Sequence, residues 1–487
     1  MTLSTIDTTR PEVTLRIGGE RRRTASGGTF DHINPCTGTP DATIPLAGPA
    51  DIDEAVTVAH DAYRTWRQIN PAERRRLLLR LADLIEQHTD DFTRLGTFDN
   101  GTPIGLVAGL VAMSVEWTRY YAGWADKVTG EVSGSYRAHS EFSYTLRQPY
   151  GVIGVIITWN GPLISLAMKV PAALAAGNTV VIKPSELTPF SAILFADLGA
   201  EAGIPDGVIN VIPGSAEAGA ALVEHPLVKK VSFTGGPDTA RKILQSCAEH
   251  IKPSVMELGG KSGNILCDDA NLDLACSVGT LMSVGMMRGQ GCAFPTRMIV
   301  ARPLYEDVLA RVSAIASMIK VGDPLEPDTV AGPVVNEAAL QRITAMIERA
   351  KQQGARLITG GERLGGDLAD GYFLQPTVFA DVDPHSELAQ KEVFGPVLSV
   401  IPFDTEAQAI EIANSTPYGL SGYVFTNDLK RAHRIAEEME TGEVLINGAA
   451  PLSVHRPFGG FGISGIGKEG GREGLDEFLR TKSVSIA

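Results

Sequence analysis

The amino-acid sequence predicts an α/β protein built around two sheets, and three observations predict it. Short apolar, β-branched runs at residues 152–157, 180–182, 208–212, 231–233 and 255–258 alternate with helical segments of about ten to fifteen residues, the pattern of a parallel sheet with crossover helices. A second αβ-rich stretch runs from about residue 260 to 448. It has helical periodicity near 272–284, 303–319 and 336–351 and strand-like runs at 298–300, 397–401 and 444–446. The chain has 487 residues, too many for one simple core, and its 44% hydrophobic and 21% charged residues are an ordinary globular mixture.

Taken in order, residues 50–97 read as two amphipathic helices, because Ala55, Val58 and Ala62, then Leu77, Leu78, Leu81, Leu84 and Ile85, recur at helical spacing. An apolar helix follows over 103–124. It ends in Trp117, Tyr120, Tyr121 and Trp124, an aromatic stripe expected in the core, with a pocket wall as the alternative. Residues 130–149 have hairpin character, with Gly130 and Gly134 ahead of the alternating Phe142-Ser143-Tyr144-Thr145-Leu146. A lone ribbon cannot bury two faces, so it is expected to pack on another element or another subunit. Residues 148–168 carry no formal charge and match a bilayer-spanning helix in length. Their β-branched opening and the break at Asn160-Gly161-Pro162 read instead as strand, turn and helix. The glycine-rich stretch 457–474 holds two overlapping GxGxxG matches, starting at Gly460 and Gly465. Both are decoys, because only about 20 residues remain, too few for the helix, second strand and acidic residue that give the motif its meaning.

Composition narrows the partners. A net charge of -14 argues against nucleic acid and anionic membrane, since an acidic surface is repelled by phosphate. Cys36, Cys247, Cys267, Cys276 and Cys292 are odd in number and form no CxxC pair, which suggests neither a disulfide framework nor a thiolate metal site and fits a reducing cytoplasm. The nine histidines show no HExxH or HxxxH spacing, so no zinc site is expected. Residues 1–10 are polar and lack the apolar core of a secretory signal.

Ligands of parallel sheets sit beyond the carboxyl ends of the strands. The residues there are Thr158-Trp159-Asn160, Lys183-Pro184-Ser185-Glu186, Pro213-Gly214, Thr234-Gly235-Gly236 and Glu257 itself. Further on, Gly289-Gln290-Gly291-Cys292 presents one cysteine among small and polar residues, an unusual address for a structural thiol. Its two glycines let backbone approach a ligand, and Arg288 is a nearby cation expected to favour thiolate. A thiolate that attacks a carbonyl carbon makes an oxyanion, for which the Asn160 side-chain amide and the Cys292 backbone N–H can supply donors. Glu257, beside Gly259 and Gly260, which leave room for substrate or water, can supply a base. Singly, each has a plainer reading: Asn160 as a turn former before Pro162, Glu257 as a surface carboxylate, Cys292 as a loop cysteine.

Together these motifs make the chain resemble the NAD(P)-dependent aldehyde dehydrogenase superfamily over almost its whole length. The resemblance is carried by Thr158-Trp159-Asn160-Gly161-Pro162, Lys183-Pro184-Ser185-Glu186, Phe233-Thr234-Gly235, Met256-Glu257-Leu258-Gly259-Gly260-Lys261, Gly289-Gln290-Gly291-Cys292, Glu392-Val393-Phe394-Gly395-Pro396 and Pro457-Phe458-Gly459-Gly460. It implies a Rossmann-like cofactor domain over 1–129 and 150–258, a catalytic α/β domain over 259–448, and an assembly element from 130–149 and 475–487 that makes a homodimer or homotetramer. The implied chemistry has Cys292 attack a small-molecule aldehyde, Asn160 hold the thiohemiacetal and Glu257 activate water against the thioester. Lys183 and Glu186 are implied to hold the adenosine ribose, with Ser185 beside them, and Glu392 and Phe394 the nicotinamide ribose. Ile156, Thr158, Trp159, Phe233, Gly235, Gly236 and Leu258 line the cleft on the same reading. A carboxylate at Glu186 should repel a 2′-phosphate, favouring NAD with NADP possible. Lys169 matches a helix lysine of the pattern that assists proton movement, with a solvated or helix-packing lysine as the alternative. A CoA-acylating relative generally lacks the glutamate found here as Glu257, and a cofactor-independent thiol esterase would use the same Cys292 and Asn160.

The sequence also departs from the pattern. Gly236-Pro237 and Ala240 stand where a small hydroxyl residue and a closing glycine are usual, which bears on pyrophosphate binding. Cys292 follows Glu257 by 35 residues, one more than the pattern, and a bulge near Gly285-Met286-Met287 is expected to absorb it. Gly161 and Met168 stand where aromatic residues are common, which predicts a wider channel suited to bulky, apolar aldehydes.

Overall fold

The computed structural model describes residues 10–133, 142–448 and 452–486. Its first sheet has eight strands in the order Glu20–Arg22, Leu15–Ile17, Ile209–Val211, Thr179–Lys183, Val152–Ile156, Val228–Thr234, Ser254–Glu257 and Gly465–Ile466. The five strands from Ile209–Val211 to Ser254–Glu257 run parallel, in the register expected of crossover connections. They are almost wholly buried, as sheets covered by helices on both faces must be. The runs read from the sequence coincide with these strands to within a few residues.

A second sheet has seven strands, ordered Arg356–Thr359, Thr377–Ala380, Val397–Phe403, Arg297–Ala301, Gly263–Leu266, Ser421–Phe425 and Glu443–Ile446. Its central pairs are parallel and carry two further apolar cores, one on each face. Strands 263–266, 356–359, 377–380 and 421–425 were not legible as separate runs, nor were the strands between Leu15 and Pro45. Several are only three or four residues long, shorter than an alternation can signal.

Residues 50–97 form three helices rather than two: Pro49–Trp66, Pro71–Gln87 and Thr89–Asn100. His88 ends one and begins the next with φ -96° and ψ 25°, so the apolar spacing changes phase without a glycine or proline to mark it. Asn70 and Pro71 mark the earlier boundary in the usual way, the Asn70 side chain accepting from Ala72 N at 2.9 Å and Pro71 occupying the first turn. The uncharged stretch resolves into strand Val152–Ile156, a turn and helix Pro162–Ala175, and no helix among the described residues is long and apolar enough to cross a membrane. The aromatic stripe divides: Trp117 and Tyr121 are fully buried, Tyr120 and Trp124 only partly.

The ribbon finds its partner at the other end of the chain. Strand Leu479–Ile486 pairs antiparallel with Phe142–Pro149 from Leu479↔Pro149 to Ile486↔Phe142, and Val132–Ser133 joins the far edge. Residues 134–141 of the expected hairpin lie outside the described residues. Val132, Phe142, Leu146 and Ile486 are exposed on this three-stranded sheet.

The two glycine matches at Gly460 and Gly465 build no nucleotide fold. They form a tight crossing in which Gly465–Ile466 runs antiparallel beside Met256 and Glu257.

Candidate active site

The nucleophile loop begins with a local change of helical register. Helix Leu272–Thr280 passes into a π turn at Leu281–Gly285, and Met287 and Arg288 then take left-handed φ values of 46° and 55°. A π turn holds one residue more per turn than an α-helix, the kind of irregularity expected near Gly285 for the longer interval between Glu257 and Cys292. Gly289 (φ +69°) cannot be otherwise: a Cβ would fall 2.2 Å from Gly395 O and 2.4 Å from Ser283 O.

Asn160 reaches this loop from the end of strand Val152–Ile156. Its Nδ2 donates to Gln290 O at 2.8 Å, and its Oδ1 accepts from Thr158 Oγ1 at 3.0 Å. This arrangement fixes the orientation of the amide and leaves one N–H of Nδ2 free to bind an oxyanion.

Glu257 is buried to 3% exposure, so it is no surface carboxylate, and neither carboxyl oxygen has a hydrogen-bond partner among the described residues. Burial first, then Glu469, push its pKa well above the usual carboxylate range, while Lys169 and Lys468 pull it down. Burial also pushes the Cys292 thiol up to about 12, with the Glu392 and Glu257 carboxylates adding to the rise. The Cys292 side chain is therefore held as a thiol, so to act as a nucleophile it would need a base to take its proton. Arg288 does not lower it, contrary to the expectation from sequence. Its Nε donates to Gln290 Oε1 at 3.2 Å, and its guanidinium lies toward Gly332 and Cys36.

Gly259 and Gly260 make room, but for protein rather than solvent. A Cβ on Gly259 would lie 2.1 Å from Glu392 Oε2, and one on Gly260 2.4 Å from Cys292 O. The segment after Glu257 is thus pressed between the nucleophile and Glu392, whose Oε1 accepts from Gly260 N at 3.0 Å. Burial raises the Glu392 carboxyl to about 7.

Phe394, two residues after Glu392, packs its ring edge-on to Trp159 at 5.3 Å between centroids, at the end of the cleft expected to face the nicotinamide. At the other end Lys183 Nζ donates to Pro184 O at 3.1 Å and to Gly214 O, and stands 3.9 Å from Glu186 Oε2. Ser185 Oγ accepts from Leu187 N, shaping the turn. Between these ends Gly235 N donates to Glu257 O at 3.1 Å over the Phe233 ring, and Leu258 N donates to Ser464 O at 2.9 Å, leaving Ile156 buried beneath. Gly236 caps helix Pro237–Glu249, whose missing first N–H would be unpaired in any helix, and no atom lies within 4 Å of a Cβ placed on it. A bare helix N-terminus with open space above it, at the carboxyl end of a parallel strand, suits a dinucleotide pyrophosphate.

Sequence reasoning missed two residues. Glu469, hidden in the glycine-rich decoy stretch, forms an ion pair with Lys169 in which the side chains are 4% and 0% exposed. Lys169 is thus not a solvated lysine. The sign that could have found Glu469 is the acid inside an otherwise glycine-rich run, next to Lys468. The second is Asn100, at the end of helix Thr89–Asn100. At Gly161 the expected opening is largely refilled: a Cβ there would meet Ile164 Cγ2 at 2.9 Å, and the void beside Asn160 and Gly161 measures about 20 Å³.

Fold and site together define a two-sheet α/β oxidoreductase with a cysteine at the mouth of a nucleotide cleft. The chain belongs to the aldehyde dehydrogenase family, whose model matches residues 22–484. It is 41% identical over 473 residues to an aldehyde dehydrogenase of Emericella nidulans, covering 96% of this chain and 94% of that one. Among solved structures it superposes on an NAD+ complex of the Bacillus cereus aldehyde dehydrogenase with a TM-score of 0.94 at 40% identity, covering 98% and 96% of the two chains. It superposes on a mutant of Pseudomonas syringae aldehyde dehydrogenase C, in complex with NAD+ and octanal, with a TM-score of 0.93 at 36% identity, covering 97% and 96%. Against the human mitochondrial 10-formyltetrahydrofolate dehydrogenase, 39% identical, the chain spans 52% of the relative's length.

Proposed function

We propose that the protein oxidises an apolar aldehyde to the carboxylic acid with NAD through a Cys292 thioester that water discharges. The observation that carries the reading is convergence: the Asn160 side chain bonds Gln290 O two residues before Cys292, and the chain three residues after Glu257 packs on Cys292 O at Gly260, both at the end of one parallel sheet. As Cys292 Sγ bonds to the aldehyde carbon, its proton passes to Glu257, and the oxyanion is held by Asn160 Nδ2 and the Cys292 backbone N–H. Bound NAD supplies the hydride acceptor. Glu257, relieved of its proton through the Lys169–Glu469 pair, then takes a proton from water as that water attacks the thioester, releasing the acid and regenerating the thiol. A buried carboxylate with two unsatisfied oxygens next to the nucleophile is suited to holding that water, which favours hydrolysis over transfer to CoA.

Lys183 and Glu186 would hold the adenosine ribose, Glu392 and Phe394 the nicotinamide ribose, and the helix start at Gly236 the pyrophosphate. The Glu186 carboxylate favours NAD over NADP. A bulky or apolar substrate is supported by the wall of Cys292 and Ala293, which packs against the largest apolar cluster together with Tyr120, Trp124 and Leu452. The octanal bound by the Pseudomonas syringae relative points the same way. The exposed apolar residues of the three-stranded sheet support assembly into a homodimer or homotetramer, and five free cysteines suit a reducing cytoplasm. Residues 1–129 and 150–258 would form the cofactor unit, 259–448 the catalytic unit, and 130–149 with 475–487 the assembly unit, although the first sheet also takes in Gly465–Ile466.

The test is an NADH-formation screen over short aliphatic, long aliphatic, aromatic and terpenoid aldehydes, with Cys292→Ala as the blank. Turnover lost in the blank, with long or bulky aldehydes preferred, is expected. Ester cleavage without NADH formation from any aldehyde would overturn the reading in favour of a thiol esterase.

A further inference from the structure

We infer that Asn100 is the positioning residue that sets the oxyanion donor Asn160, an inference that rests on the oxyanion role proposed above. Asn100 is 1% exposed, and its carboxamide uses every hydrogen-bonding group. Nδ2 donates to Trp159 O at 2.8 Å and to Asn160 O at 3.2 Å, and Oδ1 accepts from Thr102 N at 3.0 Å and Thr102 Oγ1 at 2.5 Å. One side chain therefore grips two successive carbonyls in the turn that delivers Asn160 to the nucleophile loop. A carbonyl that loses its donor favours a different turn geometry, so the turn relaxes when the grip is lost.

The anchor behind this grip is rigid for independent reasons. Asp99, the preceding residue, accepts from Phe190 N at 2.9 Å, Ser191 N at 3.2 Å and Ser191 Oγ at 2.6 Å, which ties the end of helix Thr89–Asn100 to the start of helix Phe190–Glu201. Gly101, in the left-handed region at φ +73°, ends the helix with Pro333 and Pro35 packed where its Cβ would be. Asn100 thus transmits a fixed helix end to the turn.

The consequence is a dependence of one residue on another. Displacing a catalytic group by about 1 Å can cost a hundredfold in rate, and removing an oxyanion donor costs about a hundred- to a thousandfold. Asn100→Ala is expected to lower kcat about ten- to a hundredfold, with KM for NAD changed less than about threefold, because Lys183, Glu186 and Glu392 are untouched. Asn100→Asp, which keeps the acceptor for Thr102 but turns an oxygen toward the two carbonyls, is expected to be at least as slow. It serves as the measurement should the alanine variant fail to fold. The deciding readout is a double-mutant cycle on kcat: once Asn160 is alanine, a further change at Asn100 has nothing left to position and alters kcat less than about twofold.

Equal losses from Asn100→Ala in the native and Asn160→Ala backgrounds would overturn the inference, as would a loss of kcat that only follows the fraction folded. An active-site reading without this support would show Asn160→Ala crippled and both Asn100 variants near native. If Asn160→Ala itself retained full kcat, the oxyanion role would fall and this inference with it.

Discussion

Replacing Lys169 with methionine tests the electrostatics of the site at its most buried point. Lys169 and Glu469 pair with 0% and 4% of their side chains exposed, and both act on Glu257 with opposite sign. Removing one partner of a buried pair strands the other charge and costs about 3–5 kcal/mol. Lys169→Met is therefore expected to lower the urea midpoint by that equivalent at unchanged slope, whereas Lys169→Met with Glu469→Gln recovers most of the loss. The catalytic effect has a sign as well. Glu257 needs to be ionised to take a proton from water, and its pKa is already raised, so activity falls as pH drops through that raised value. Without Lys169 one of the cations holding it down is gone, and the acid limb of kcat moves up by about one pH unit, the low end of the shift an adjacent opposite charge produces. Glu469→Gln alone removes the largest neighbouring anion and moves the limb down. Unfolding curves and kcat profiles between pH 5 and 9 decide both points. A stability loss below about 1 kcal/mol, or limbs that move together in one direction, would refute this account of the pair.

Four other outcomes follow from the site. Glu392, raised to about 7 by burial, must be ionised to accept both ribose hydroxyls, so KM for NAD is expected to climb below pH 7, approaching about tenfold per unit. Glu392→Gln should flatten that climb, measured from initial rates. Glu186→Gln removes the charge that would face a 2′-phosphate and should raise the NADP-to-NAD ratio of kcat/KM about tenfold, or about 1.4 kcal/mol, read by paired assays with the two cofactors. Gly236→Ser places a hydroxyl in open space over a helix start, and a new hydrogen bond of about 0.5–1.5 kcal/mol would lower the Kd for NAD two- to tenfold by fluorescence titration. Gly161→Phe must displace Ile164, which already fills the space beside Gly161, so it should slow a bulky aldehyde and acetaldehyde alike; selective slowing of the bulky aldehyde would return Gly161 to substrate selection.

What the sequence made legible was whatever long periodic runs or strand-end motifs could carry. The five parallel strands of the first sheet and the long helices stood out because each presents an apolar run bounded by turn residues. Strands such as Gly263–Leu266 and Thr377–Ala380 did not, because four buried residues look alike in a strand or a helix. The site divided along the same line. Cys292, Asn160 and Glu257 lie in strings with distinctive chemistry, but the charge environment of Cys292 depends on where Arg288 points. A left-handed residue after a π turn points away from where a regular loop would aim it. Asn100 was invisible for a related reason: its partners are backbone carbonyls 59 and 60 residues away, and a carbonyl leaves no trace in the residue alphabet.

The π turn shows how a change in chain length can be kept from reaching the chemistry. An added residue spread along helix Leu272–Thr280 would rotate every later side chain by about 100°, since an α-helix turns 3.6 residues per revolution. Confined to Leu281–Gly285, the wider turn lies wholly before Gly289, and two left-handed residues follow it. Such conformations cost of order 1–3 kcal/mol each and persist only where their surroundings over-determine them. Here Gly289 is wedged between two carbonyls, Arg288 is buried, and Asn160 pins Gln290 from the opposite side. Asn160 therefore has a structural task in the resting enzyme beyond its role toward substrate. Asn160→Ala, which removes the donor to Gln290 O without placing a new carboxylate beside the thiol, should accordingly loosen the loop as well as the proposed oxyanion site, making Cys292 more reactive toward a neutral alkylating reagent while turnover falls.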